Sequence, residues 1–103
     1  MPPHIERWRL NVEIKTKYFD AASKIFAAVS NLCENDNRLK WLAVGILSDL
    51  EDKLLDVDNK LVTDIRTIRV KFMASQTPSE YVPELMLLGI CIANQANEIP
   101  TFT

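Results

Sequence analysis

From Val12 to Glu34 apolar residues recur at helical spacing in two adjacent rows: Val12, Phe19, Ala22, Phe26, Val29 and Cys33 beside Ile14, Tyr18, Ala21, Ile25, Ala28 and Leu32. At about 100° per residue the rows merge into one face, and Glu13, Thr16, Asp20, Ser23, Lys24, Asn31 and Glu34 fill the opposite side, which predicts an amphipathic helix. Upstream, Trp8, Leu10, Val12 and Ile14 alternate with Arg9, Asn11 and Glu13 as a half-buried strand would. The same stretch extends the helical rows through Ile5, Trp8 and Leu10, and no clear partner strand appears elsewhere. The helix is therefore predicted to start near Ile5, with a strand over 5–15 as the alternative.

Glu34, Asn35, Asp36 and Asn37 form a polar break rich in helix-capping and turn residues, so the chain is predicted to reverse there and a new helix to begin near Arg38. Leu39, Ala43, Ile46, Leu50, Leu54, Val57, Leu61, Ile65, Ile68 and Phe72 are then spaced 4, 3, 4, 4, 3, 4, 4, 3, 4. This is a repeat of about 11 residues, or about 3.67 per turn. The phase passes Asp58 and Asn59 without resetting, which predicts one continuous helix from Arg38 to Ala74, roughly 55 Å long. The first helix would run antiparallel to it as a long hairpin.

Thr77, Pro78, Ser79 and Glu80 have the form of a capping box with proline at the first helical position. Pro83 would break a helix started there, so one turn is predicted at 78–82 and the main helix from Pro83 to about Ala96. The apolar stretch Met86–Ala93 admits a buried strand as its alternative, and Glu98–Thr103 reads as a tail. The fold expected is all-α: a single domain over 1–103, with an antiparallel long-helix hairpin and a shorter C-terminal helix.

Opposite the 11-residue stripe, the long helix carries a second apolar row: Trp41, Val44, Leu55, Val62, Val70 and Met73. The first and third helices would cover both rows only if they lay on either side. The other reading is that a second copy or a different protein covers the far row, completing a helical bundle by oligomerisation.

Composition narrows the classes further. With 103 residues, 48% hydrophobic and 25% charged, the chain has the balance of one ordinary globular domain rather than of a disordered segment. Only Gly45 and Gly89 supply glycine, too little turn chemistry for an all-β fold. A net charge of −2 disfavours nucleic acid as a partner. Uninterrupted apolar runs such as Leu85–Leu88 are far too short to span a bilayer, and the expected setting is cytoplasmic. Cys33 and Cys91, in apolar runs and without ligand spacing, are predicted to be buried thiols in the core.

The candidate chemistry is sparse. His4 is the only histidine and falls in a terminal segment, which leaves no histidine-based triad. Asp49, Asp52 and Asp56 share one side of the long helix, but Lys53 and Lys60 interleave at i, i+4, so a solvated charged face is expected rather than a cation site. Arg66, Arg69 and Lys71 form the one candidate anion-binding cluster, set against the ordinary preference of cations for a helix C-terminus. Phosphate-binding glycine loops, nucleophile elbows and zinc spacings are absent, and no cofactor is expected.

These features point to a non-enzymatic helical module acting as a homodimer or higher homo-oligomer and binding another protein, as an adaptor, inhibitor or immunity-type factor. The alternatives are a small anionic ligand held in an intersubunit pocket, with Trp41 or Trp8 as a stacking face, and nucleic-acid binding through the same cations.

Overall fold

The computed structural model describes the backbone of residues 3–100 and the side chains of residues 9–100. Four α-helices follow one another: α1 (Pro3–Leu32), α2 (Asn37–Leu54), α3 (Asn59–Met73) and α4 (Val82–Glu98), with a 3-10 turn at Pro78–Tyr81 before the last. Residues 5–15 and 86–93 are helical, so neither strand alternative holds. The all-α prediction stands, and the continuity of its middle helix does not.

α1 stops at Leu32, and Asn35 takes a left-handed φ of 55°, which an amide side chain tolerates better than a branched one. Asp36 then caps α2, its carboxylate accepting from the backbone N–H groups of Arg38 and Leu39 at 2.8 and 3.2 Å. The predicted continuous helix Arg38–Ala74 is instead two antiparallel helices. Leu54 ends α2, Asp56 enters the left-handed region at φ 69°, and Asp58 caps α3 by accepting from the N–H of Leu61 at 3.0 Å. Asn59 Oδ1 also accepts from the N–H of Asp56 at 3.0 Å, so Asp56, Asp58 and Asn59 together close the turn. The capping box expected at Thr77 does not form, since Thr77 makes no side-chain cap hydrogen bond; the turn begins on buried Pro78 instead.

The helices run up, down, up, down. α1 packs against both α2 and α4, and α2 against α3, while α3 and α4 approach each other little. The stripe read as one long helix is the core-facing stripe of both α2 and α3: Ala43, Leu50, Leu54, Leu61, Ile65, Ile68 and Phe72 are buried, with Leu47 between them. Ala21, Ile25, Ala28 and Leu32 of α1 and Leu85, Ile92 and Ala96 of α4 complete the core. Small residues on α1 and α4 allow close approach; a Cβ added to Gly89 would fall 2.8 Å from the Phe26 ring and 3.2 Å from Ile25.

Polar links hold the ends together. Lys40 Nζ donates to the carbonyls of Met73 and Ser75 at 3.1 and 3.3 Å, tying the start of α2 to the end of α3. Asn35 Oδ1 accepts from the N–H of Ser79 at 2.8 Å, joining the first and last connections. At the opposite end the Tyr18 hydroxyl donates to Asp58 Oδ2 at 2.9 Å and accepts from Gln95 Nε2 at 3.5 Å. That group links α1, the α2–α3 turn and α4.

Candidate interaction surfaces

The structure breaks up the predicted far-side row. Val62 is buried inside the chain, and Val44 and Met73 are half-buried, because α3 folds back along α2 and covers part of its own continuation. Trp41 and Val70 remain on the outer side of the α2–α3 pair and Leu55 on the turn, all three about half exposed. Lys40 Nζ stands 5.5 Å from the centre of the Trp41 ring, a cation–π contact at the edge of this surface.

Of the predicted anion-binding cluster, Arg66 and Arg69 come together and Lys71 does not join them. Arg66 Nε donates to Glu51 Oε1 at 3.0 Å, and Arg69 reaches the same oxygen through Nη2 at 3.2 Å and Oε2 through Nε. Glu51 is 5% exposed, the one buried charged residue among those described. A buried carboxylate is costly without charged donors, and the arginines neutralise it. Arg69 lies largely within this contact, whereas Arg66 keeps much of its guanidinium in water. Sequence reasoning missed Glu51. Its position inside the apolar arc of α2, one residue past Leu50, was the available signal that a cation must meet it.

Lys71 faces the other way, into a groove of about 350 Å³ between α3 and α4, lined also by Asp64, Thr67, Glu84, Leu87 and Cys91. Cys33 and Cys91 are both exposed rather than buried, Cys33 at the edge of the apolar arc of α1 and Cys91 in the lining of the groove between α3 and α4. The Cys33 thiol donates to the Val29 carbonyl at 3.2 Å. The side chains of His4 and Trp8 lie outside the described residues. Asp49 and Lys53 pair at 3.2 Å on the solvent side as predicted. Asp56 lies in the α2–α3 turn and Lys60 in the first turn of α3, so the i, i+4 pairing predicted for them on one helix does not form. Among the described residues there is no cluster of three or more side chains suited to a metal ion, and no helix long and apolar enough to cross a membrane.

The least expected surface lies on α4. From Leu85 to Ala93 it carries no charged or amide side chain and is therefore apolar on every side, the pattern of a helix enclosed by neighbours. It is not enclosed. Leu85, Gly89, Ile92 and Ala96 are buried against α1, while Met86, Leu87 and Ile90 are exposed, Leu87 to 62%. Gly89 of α4 sits against the Phe26 ring of α1, and Phe19 and Phe26 on α1 are exposed as Met86 and Ile90 are on α4. Comparison with protein-family models, with curated proteins and with solved structures finds no match to this chain.

Proposed function

We propose that this chain is a non-enzymatic helical interaction module that acts as a homo-oligomer and presents an apolar face of α1 and α4 to another protein. The observation that carries this reading is α4 itself, apolar all round yet covered on one side only. Phe19, Phe26, Met86 and Ile90 extend the exposed surface across two helices, and contiguous apolar patches of this kind mark interfaces more often than bare solvent-facing surface. Aromatic and methionine side chains are also the types enriched in interface cores.

The anionic-ligand reading has less behind it, because Glu51 already holds both arginines, of which Arg66 alone stays largely in water, and Lys71 faces a different groove.

Sedimentation of the wild type across a dilution series, beside a Phe19→Glu, Ile90→Glu double variant, tests the proposal. A wild type larger than a monomer at tens of micromolar is expected, and a strictly monomeric one would sink the homo-oligomer. The double variant should keep its circular dichroism and melting temperature while binding less of a hydrophobic dye. A variant that unfolds would place these residues in the intrachain core instead.

A further inference from the structure

We draw no further inference here: the strongest candidate, the groove of about 350 Å³ between α3 and α4 lined by Ile68, Leu87 and Leu88 with Asp64, Lys71 and Glu84 beside them, carries charges of both signs that select no one ligand, and nothing in the structure shows what covers it.

Discussion

At Glu51 one carboxylate stands between two guanidinium groups of very different exposure, and the cost of removing each partner should differ accordingly. Glu51→Ala strips the counter-charge from Arg69, which is mostly shielded from water, and should cost about 3 kcal/mol in urea denaturation. Arg66→Ala removes a guanidinium that is more than half exposed, and Arg69 continues to satisfy the carboxylate, so the loss should stay below about 1 kcal/mol. Equal losses would mean that the two arginines carry the contact jointly. In the sequence these arginines were visible only as a cationic cluster near a predicted helix end. Their carboxylate partner lies 15 and 18 residues away, and only the reversal of the chain at Asp56–Asp58 brings it near.

That reversal was the element least legible in the sequence. Leu54 and Leu61 are seven residues apart, which is close to two turns of helix, so a turn that consumes the same number of residues leaves the apolar phase undisturbed. Periodicity therefore identified seven of the buried positions of α2 and α3, missing Leu47, Glu51 and Val62, while concealing that they belong to two helices. The informative residues were the polar ones: Asp58 three positions before Leu61 is a helix start, and Asp56 tolerates a left-handed φ. On one continuous helix, Asn59→Pro would cost about 3 kcal/mol or more. Here Asn59 is the first residue of α3, a position whose N–H makes no intrahelical bond and which accepts proline. The expected cost is below about 1 kcal/mol, from the lost Asn59–Asp56 hydrogen bond, against about 3 kcal/mol for Ser48→Pro inside α2. Thermal melts of the two variants make the comparison. The break at Glu34–Asn37 and the α4 helix were readable in advance because capping residues and prolines mark them directly. The exposed side of α4 was not, since a run apolar on every side does not say which side faces its neighbour.

Across the molecule, the Tyr18 hydroxyl joins three elements, and its acidity reports whether they are assembled. Burial, then the hydrogen bond to Asp58, then the negative charge of Asp58 push its pKa from the ordinary value of 10.0 up to about 12. The folded state thus holds this proton more tightly than the unfolded chain does. The corresponding stability is complete below pH 10 and lost as pH rises toward about 12. A phenolate absorbance titration should show Tyr18 ionising late, and Tyr18→Phe should flatten the fall in melting temperature over that window. A wild-type fall that begins well below pH 10 would point to a different group.

The seam between α3 and α4 has a kinetic consequence as well. The α2–α3 pair closes over a short turn, whereas joining α1 to α4 brings together residues as far apart as Asn11 and Pro100. Loop-closure entropy makes the second event the slower one, so the α2–α3 hairpin should order before α4 docks. Because α4 rests chiefly on α1, it is also the helix that can detach while the other three stay folded. Its amides should then exchange with deuterium faster than those of α2, at a free energy below that of global unfolding. Each such opening uncovers Leu85, Ile92 and Ala96 and offers their vacated seat on α1 to the α4 of a neighbouring chain, a route to exchanged dimers at high concentration.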